Sequence, residues 1–327
     1  MLLDNHGRPL TYLRLAVTDR CNLRCFYCMP EEGIKYLPKS KLLSYEEMLR
    51  MVNILAEMGI NKVRITGGEP FVRNNLIDFL EKLAEIEGIN DLSITTNGVF
   101  TGDYIKQMKS IGIRSVNLSL DTLDKNRFYK ITRRDEFDKV YETLFRLIDE
   151  GFEVKVNAVV MEGKNIEDLI PLAELTRNNN VSVRFIEEMP FNGEGAHYAR
   201  LEWDMLRILE ELNLHFPDLQ KLQDGPYSTS YNYQIPGYQG NVGIIAAFSR
   251  TFCGTCNRIR VTATGELKTC LYDDGVLNVR DLMRGGVSDE ELKSEFMKAF
   301  RNRAKDGFEA ESNRKNIVKE SMTTIGG

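Results

Sequence analysis

The chain has 327 residues, of which 28% are charged and 42% hydrophobic, as in ordinary soluble globular proteins. Its formal net charge of −5 gives no basic field, which argues against nucleic acid as a partner. No apolar run is long enough to span a membrane, and the N-terminal MLLDNHGRPL lacks the features of a secretory signal. The six cysteines form two tight groups, unlike a secreted disulfide framework, so we expect a reducing cytoplasm; a removed organellar transit peptide stays open.

Short strand-like runs alternate with amphipathic helical patterns over residues 1–215. Five helical patterns lie between the runs, and the first begins with a capping box at Ser44 and Glu47 and ends at Gly59. Six βα units predict a parallel α/β sheet with right-handed crossovers, either an incomplete barrel or an open doubly wound sheet. The predicted strands are 12–18, 62–66, 91–97, 114–120, 153–161 and 181–188.

The side-chain pattern of these strands favours the barrel. Buried parallel strands are usually apolar on both faces, whereas each of these has one polar or charged face. The sequence therefore predicts an incomplete (βα)6 TIM-type barrel around a polar cavity, although some charges could simply pair with acids or lie at exposed strand ends. The polar positions are Arg14, Thr18, Lys62, Arg64, Thr66, Thr95, Asn97, Asn117, Ser119, Lys155, Asn157 and Arg184.

The pattern changes after about residue 215. The segment GPYSTSYNYQIPGYQG leads into short strand-like runs, a second cysteine group and further helical patterns. We predict two domains: a barrel over residues 1–215 and a C-terminal extension over residues 216–327, packed on the barrel.

The first cysteine group is CxxxCxxC, formed by Cys21, Cys25 and Cys28. It follows the first strand and so lies at the rim where α/β barrels carry their chemistry. A closed zinc site needs four protein ligands, and the histidines lie elsewhere in sequence, although His6 could fold back. Three thiolates on a [4Fe–4S] cluster would instead leave one iron with an open position.

The loop after the second strand is GGEP, from Gly67 to Pro70. Glycines there let the backbone approach a ligand closely, which a Cβ would prevent. Taken alone, GGEP is more typical of an ordinary strand-to-helix turn.

The second group, Cys253, Cys256 and Cys270, also lacks a nearby fourth ligand. It is either a second cluster with an open iron or a zinc site completed from a distance. Burying unpaired cations costs free energy, so a net-acidic chain that gathers them in one cavity predicts a polyanionic ligand, such as a nucleoside triphosphate. The inward-facing cations are Arg14, Lys62, Arg64, Lys155, Arg184, Arg258 and Arg260.

The cysteine motif with Tyr27 before its third cysteine, together with GGEP, closely resembles the radical S-adenosylmethionine (SAM) superfamily. Over essentially its whole length the chain resembles the GTP 3′,8-cyclases of molybdenum cofactor biosynthesis (the MoaA family). The first two motifs mark the superfamily, whereas the CxxCxRxR…C segment and the terminal Gly326-Gly327 are specific to the cyclases. The matching stretches include LRLAVTDRCNLRCFYCMP, KVRITGGEPFVR and FCGTCNRIRVTATGELKTCL.

The resemblance implies two [4Fe–4S] clusters, each with three cysteine ligands and one open iron. Cys21, Cys25 and Cys28 would hold the cluster that binds SAM, and the second triad would hold the cluster that takes the guanine end of GTP. A 5′-deoxyadenosyl radical would remove hydrogen from ribose C3′, and attack of C3′ on guanine C8 would lead to 3′,8-cyclo-7,8-dihydro-GTP, the first step of the pathway. The implied SAM contacts are Tyr27, Gly68, Ser119 and Met189. The implied GTP contacts are Arg14, Lys62, Arg64, Thr95, Lys155, Arg184, Arg258, Ile259 and Arg260, of which Arg258 and Arg260 also serve catalysis.

The resemblance further implies a one-electron donor such as flavodoxin or ferredoxin, a downstream cyclic pyranopterin monophosphate synthase, and allows a homodimer. In this family the double-glycine tail reaches the active site, whereas an exposed, disordered terminus is the ordinary expectation. Two alternatives stay open: another radical SAM enzyme with an auxiliary cluster, such as a peptide-modifying maturase, and a non-catalytic zinc- or iron–sulfur-binding scaffold.

Overall fold

The computed structural model describes residues 1–191, 201–316 and 320–326. Six strands alternate with helices over the first part of the chain, with two helices between the fourth and fifth strands. The strands are β1 (Tyr12–Ala16), β2 (Lys62–Thr66), β3 (Asp91–Thr96), β4 (Ser115–Ser119), β5 (Glu153–Val160) and β6 (Val181–Glu187). The helices are α1 (Tyr45–Met58), α2 (Leu76–Ala84), α3 (Ile105–Ile111), α4 (Lys125–Thr132), α5 (Phe137–Asp149) and α6 (Leu169–Glu174).

The C-terminal part adds further strands and helices. Its strands are β7 (Gln220–Lys221), β8 (Tyr231–Gln234), β9 (Asn241–Ile245), β10 (Arg258–Val261), β11 (Glu266–Lys268) and β12 (Leu277–Asn278). Its helices are α7 (Met205–His215), α8 (Val279–Arg284), α9 (Asp289–Phe300), α10 (Gly307–Ser312) and α11 (Met322–Ile325). In the described ranges, no helix has both the length and the apolar character needed to cross a membrane.

All twelve strands form one sheet in the order β12-β11-β10-β1-β2-β3-β4-β5-β6-β9-β8-β7. Strands β1 to β6 are parallel neighbours in chain order, as the alternating pattern predicted. Strand β10 continues the parallel sheet beside β1, and β9 continues it beside β6. Across the described residues the sheet stays open, so the incomplete α/β barrel is confirmed.

The C-terminal part is more than a layer packed on the barrel. It supplies a parallel strand to each edge of the six-stranded sheet, and the register places Arg260 beside Arg14. The sequence did not show this because β9 and β10 are only five and four residues long and are separated by a segment that carries Cys253 and Cys256. The division at residue 215 stays a prediction.

The alternating side chains of the strands sort as expected. On β2, Val63 and Ile65 are fully buried in the main hydrophobic core, while Arg64 faces the opposite side. The capping box of α1 is confirmed: the Ser44 hydroxyl accepts from the Glu47 amide, and the Glu47 carboxylate accepts from the Ser44 amide. The six predicted strands match the observed ones to within two residues at each end.

Helix α4 was not among the predicted helices. Its sequence KNRFYKIT places few apolar residues on the buried face, mainly Phe128 and Ile131, so its periodicity is weak. An Asp124 cap begins the helix, and Arg133 ends it with a positive φ of 55°. The end of α4 contacts the first cysteine group, so the missed helix supports the site.

Candidate active site

The barrel encloses one large cavity of about 430 Å³. All six cysteines line it, although the two cysteine groups are more than 200 residues apart in sequence. The polar strand positions also meet there, with the exception of Thr18: Arg14, Lys62, Arg64, Thr66, Thr95, Asn97, Asn117, Ser119, Lys155, Asn157 and Arg184. The structure therefore gathers the residues that the sequence singled out, and the predicted polar cavity is present.

The predicted ligand contacts are placed as follows. Those expected to meet SAM all line the cavity: Tyr27, Gly68, Ser119 and Met189. Arg258 and Arg260 project into it from β10, but the side chain of Ile259 points to the other face of that strand and is fully buried in the core. A ligand could reach Ile259 only through its backbone.

The first cysteine group lies in a loop held by neighbouring backbone. The amide of Cys28 donates to the Cys25 carbonyl at 2.9 Å, and Arg24 Nη1 donates to the Cys21 carbonyl at 2.6 Å. The Arg24 amide donates to the carbonyl of Thr132, the last residue of α4, at 2.9 Å. These bonds fix the loop through backbone carbonyls rather than through the thiols, and none of the three cysteines forms a disulfide.

The GGEP glycines have a structural reason that the sequence did not show. A Cβ at Gly67 would lie 2.5 Å from the Thr18 carbonyl oxygen, and one at Gly68 would lie 2.2 Å from the Arg20 carbonyl oxygen. Both distances are far inside van der Waals contact. The glycines were expected to make room for a ligand, but their Cβ positions face the backbone of the cysteine loop, which approaches too closely for any side chain.

Glu69 joins this loop to the next strand. Its buried carboxylate accepts from the Thr96 hydroxyl at 2.8 Å and from the Asn97 amide at 2.7 Å. The Asn97 side chain in turn donates to Cys21 Sγ at 3.6 Å. Burial raises the pKa of the Glu69 carboxyl to about 7, opposed by these donors. Sequence reasoning left Glu69 without a role because its partners come from β3.

The thiols of the second group differ in acidity. Burial raises the pKa of Cys270 to about 12 and also raises that of Cys253. Burial acts in the same direction on Cys256, but the guanidinium groups of Arg258 and Arg303 outweigh it and lower the pKa of Cys256 to about 7. Cys256 is therefore the thiol of this group most ready to serve as a thiolate ligand.

The donor set fits iron–sulfur clusters. Each group offers three cysteines that form no disulfide and line the same cavity. Within residues 1–191, 201–316 and 320–326, no three His, Cys, Asp or Glu side chains converge as a single metal ion would require. A [4Fe–4S] cube has no such requirement, because each of its cysteine ligands binds a different iron.

The cavity cations divide into two kinds. Lys62 pairs with Asp91, and Lys155 pairs with Glu153 at 3.1 Å, as the alternative reading of the charges foresaw. Of the six arginines that line the cavity, Arg250 pairs with Glu311 at 2.7 Å. The other five form no ion pair with any acid in the described part of the chain: Arg14, Arg64, Arg184, Arg258 and Arg260. Buried cations without counter-charges are costly, and an anionic ligand would offset that cost.

The arginines also disfavour one another. Burial, then the charges of Arg14 and Arg258, lower the pKa of Arg260 to about 9. Burial and the charge of Arg64 lower the pKa of Arg184 to about 10. The Nε atoms of Arg14, Arg184 and Arg258 are buried without a hydrogen-bond acceptor in the described chain. Planar guanidinium groups with unused donors suit phosphate oxygens.

Tyr12 is a cavity residue that sequence reasoning missed. Its hydroxyl is buried and has no hydrogen-bond partner among the described residues. Lys62 Nζ lies 5.4 Å and Arg64 Cζ 5.6 Å from its ring centroid. Burial would raise its pKa, but Arg64, Arg14 and Lys62 lower it to about 8. The alternation of β1 placed Tyr12 on the same face as Arg14, a signal that was available.

The C-terminal tail enters the cavity. Met322 and Thr323 line it, and the Gly326 carbonyl accepts from Arg260 Nη1 at 2.6 Å. Gly326 has φ of 78°, and a Cβ there would lie 2.6 Å from Thr66 Oγ1. The expectation of a tail that reaches the site therefore holds for Gly326, and Gly327 lies outside the described residues.

Comparisons with known proteins agree with this site. The family model for the radical SAM superfamily matches residues 15–176, and the model for Molybdenum Cofactor Synthesis C matches residues 181–308. Among solved structures, anSMEcpe with bound AdoMet superposes with a TM-score of 0.59 at 17% identity, covering 94% of this chain and 84% of the other. Streptococcus suis SuiB bound to S-adenosylmethionine gives 0.57 at 15%, covering 84% and 64%. At such identity these two likenesses show the fold alone.

Sequence relatives are much closer. Molybdenum cofactor biosynthesis protein 1 of Bos taurus is 42% identical over 89% of this chain and 46% of its own length, so the chain spans about half of that relative. The mitochondrial GTP 3′,8-cyclase of Arabidopsis thaliana is 40% identical over 90% of this chain and 75% of its own. The GTP 3′,8-cyclase of Syntrophomonas wolfei is 39% identical, and the match covers 100% of both chains. This chain therefore belongs to the GTP 3′,8-cyclase family of the radical SAM superfamily.

Proposed function

We propose that this chain is a GTP 3′,8-cyclase, which converts GTP to 3′,8-cyclo-7,8-dihydro-GTP in the first step of molybdenum cofactor biosynthesis. One observation carries the proposal: five buried or half-buried arginines without acid partners in the described chain share a cavity with two cysteine triads. A cavity of this kind binds a polyanion beside two metal centres. Family membership supports GTP as the polyanion.

The first triad is proposed to hold a [4Fe–4S] cluster through Cys21, Cys25 and Cys28. With SAM bound, such a cluster would supply the electron for radical chemistry at ribose C3′ of GTP. The protein's part is to hold SAM against Tyr27, Gly68, Ser119 and Met189. Asp121 positions Tyr27 by accepting a hydrogen bond from its hydroxyl at 2.7 Å. The same carboxylate is held by a second hydrogen bond, from the Val159 amide, at 2.8 Å.

The second triad is proposed to hold a second [4Fe–4S] cluster beside the guanine of GTP. The triphosphate lies among Arg14, Arg64, Arg184 and the β10 arginines, with Thr95 and Lys155 as further contacts. Holding both ends of GTP keeps C3′ and C8 within bonding reach, a proximity effect that contributes several kcal/mol, about 7 or more in well-oriented systems. The backbone of Ile259, rather than its side chain, contributes to this contact.

Family membership also supports three proposals about partners and location. Flavodoxin or ferredoxin supplies single electrons, and cyclic pyranopterin monophosphate synthase takes the product. The protein works in the cytoplasm, or in an organelle that it reaches through a removed transit peptide.

The test is an anaerobic incubation of reconstituted protein with SAM, a strong reductant and GTP. We expect 5′-deoxyadenosine together with a cyclised product that has the same mass as GTP and separates from it by chromatography, both followed by mass spectrometry. ATP in place of GTP should give neither. If SAM is cleaved at the same rate with and without GTP, the protein is a radical SAM enzyme but not the cyclase. Stoichiometric zinc in place of iron would support the non-catalytic metal-binding scaffold.

A matched pair of variants tests the anion site. Arg184→Gln removes a cavity guanidinium and should raise the KM for GTP by about tenfold or more, the usual worth of a charged hydrogen bond. Arg127→Gln removes a guanidinium that pairs with Asp168 at 2.7 Å outside the cavity, and should leave KM unchanged. Equal effects of the two changes would contradict the proposed phosphate site.

A further inference from the structure

Arg303 is a buried guanidinium whose five N–H donors are all used. Its side chain is 3% exposed and lies in the segment after α9. It donates to the carbonyls of Thr269 at 2.9 Å, Cys256 at 2.8 Å and Arg258 at 2.9 Å. These bonds join three segments around the second cysteine group. A fully satisfied arginine fork is rigid, so it fixes the loop that it bonds.

One of these donors reaches a sulfur. Arg303 Nη2 lies 3.1 Å from Cys256 Sγ and donates to it. In the first cysteine group the corresponding contact is weaker and uncharged: the Asn97 amide donates to Cys21 Sγ at 3.6 Å. The two groups therefore differ in the charge and distance of the hydrogen-bond donor on their sulfur.

Asp4 limits the charge that Arg303 presents. Asp4 Oδ2 accepts from Arg303 Nη1 at 3.1 Å and from Arg8 Nε at 2.7 Å, and its side chain is fully buried. Arg8 itself donates to the Cys253 carbonyl at 3.2 Å. In the buried Asp4–Arg8–Arg303 cluster, Arg8 thus contacts Cys253 and Arg303 contacts Cys256. Asp4 contacts these cysteines only through the two arginines.

On this basis, and resting on the proposed second cluster, we infer that Arg303 positions Cys256 as a ligand and raises the reduction potential of that cluster, while Asp4 lowers it. Reduction adds one electron, taken from an external reductant, to a cluster in a buried site. A cation and a hydrogen bond at a ligand sulfur stabilise the added negative charge, and a nearby anion opposes it. Burial keeps both effects from being screened by solvent.

The test is a redox titration of the whole reconstituted protein, followed by electron paramagnetic resonance. Arg303→Gln should lower the midpoint potential of one of the two clusters, and Arg303→Lys, which keeps the charge but not the fork, should lower it less. Asp4→Asn should raise the potential of that same cluster. The other cluster serves as the internal control and should not move. Arg127→Gln should move neither.

Iron analysis separates failure of the inference from failure of the proposed function. If the wild-type protein holds fewer than about eight irons per chain, it lacks the second cluster, and both the inference and the proposed function are overturned. Arg303→Gln that loses about four irons while Arg303→Lys keeps them supports the positioning role. If Arg303→Gln and Asp4→Asn keep full iron and leave the midpoint potential unchanged, the inference is overturned. It is also overturned if the two variants shift that potential in the same direction, because general loosening of the site would produce that result.

Discussion

Single residues decide the electrostatics of this cavity. Arg64 and Arg260 are only 6% and 9% exposed, yet each keeps a positive charge without an acid partner in the described chain. A ligand that binds only the folded state adds stability of about 2.7 kcal/mol at a hundred times its Kd. Because GTP would cancel the repulsion among these arginines, part of its binding free energy should appear as increased thermal stability of the protein.

Tyr12 should report the same field through its ionisation. In ligand-free protein we expect its phenol to titrate near pH 8, seen as a rise in absorbance at 295 nm, because three cations stabilise the phenolate. Folding lowers this pKa, so the phenolate contributes stability that is complete above the ordinary value of 10 and is lost as pH falls through about 8.

Two comparisons check the Tyr12 assignment. Tyr12→Phe should abolish the absorbance step near pH 8, and GTP should move the step to higher pH because its phosphates cancel the field of Arg14, Arg64 and Lys62. A step that survives in Tyr12→Phe, or that ignores GTP, would contradict the assignment.

At this scale the sequence shows which residues face the cavity but not what they pair with. Alternation along β5 placed Glu153 on the same face as Lys155, so that pair had a local signal. The pairing of Lys62 with Asp91 had none, because it depends on β3 lying beside β2. Arg303 lies in a helical C-terminal region, 33 residues after Cys270, and nothing in its spacing points to Cys256. Such contacts come from tertiary packing of distant segments, which one sequence does not display.

Secondary-structure elements bring the two cysteine groups to opposite ends of one cavity, because the first group follows β1 and Cys256 precedes β10, the parallel neighbour of β1. The loops after β1 and β2 interlock. The Gly68 amide donates to the Thr18 carbonyl at 2.8 Å, and the Glu69 amide donates to the Arg20 carbonyl at 2.8 Å. The loop after β2 therefore runs like an added strand against the loop after β1. Each loop is held in place by the other, so a fault in GGEP should disturb the cysteines.

A single methyl group tests this interlock. Gly68→Ala places a Cβ 2.2 Å from the Arg20 carbonyl oxygen, so the cysteine loop must shift. We expect the variant to lose the first cluster and keep the second, with iron falling from about eight to about four per chain. Gly225→Ala is the control, because no atom lies within 4 Å of its added Cβ and it should keep all its iron. Equal iron in the two variants would refute the interlock.

Elements were predictable where the hydrophobic period was strong. The strands β1 to β6 alternate clearly, and α1 carries a cap and a glycine stop, so their positions followed from local rules. Helix α4 has a weak apolar face and escaped prediction, although its last turn holds the first cysteine loop. The short strands β9 and β10 depend on edges supplied by β6 and β1, which local pattern does not reveal.

For the whole molecule, the chief consequence of the topology is that the two ends of the chain form one structure. Strand β10 pairs with Tyr12 to Leu15 of β1, and β9 pairs with Ser182 to Ile186 of β6. The tail adds a third link, in which Glu320 pairs with the buried Lys268 at 2.6 Å and leads Gly326 to Arg260. The cavity is therefore complete only when the C-terminal segment has docked.

This topology predicts that residues 1–215 do not form an independent unit. A fragment ending at residue 215 would expose the β1 and β6 edges, whose unpaired N–H and C=O groups favour aggregation. We expect it to elute as aggregate on gel filtration and to melt without a cooperative transition in circular dichroism. A chain ending at residue 316 keeps all twelve strands and should elute without aggregate and melt cooperatively, with a lower melting temperature because Lys268 loses Glu320. Cooperative melting of the shorter fragment would instead show that the barrel is stable without its C-terminal strands, and would place the domain boundary where the sequence pattern changes.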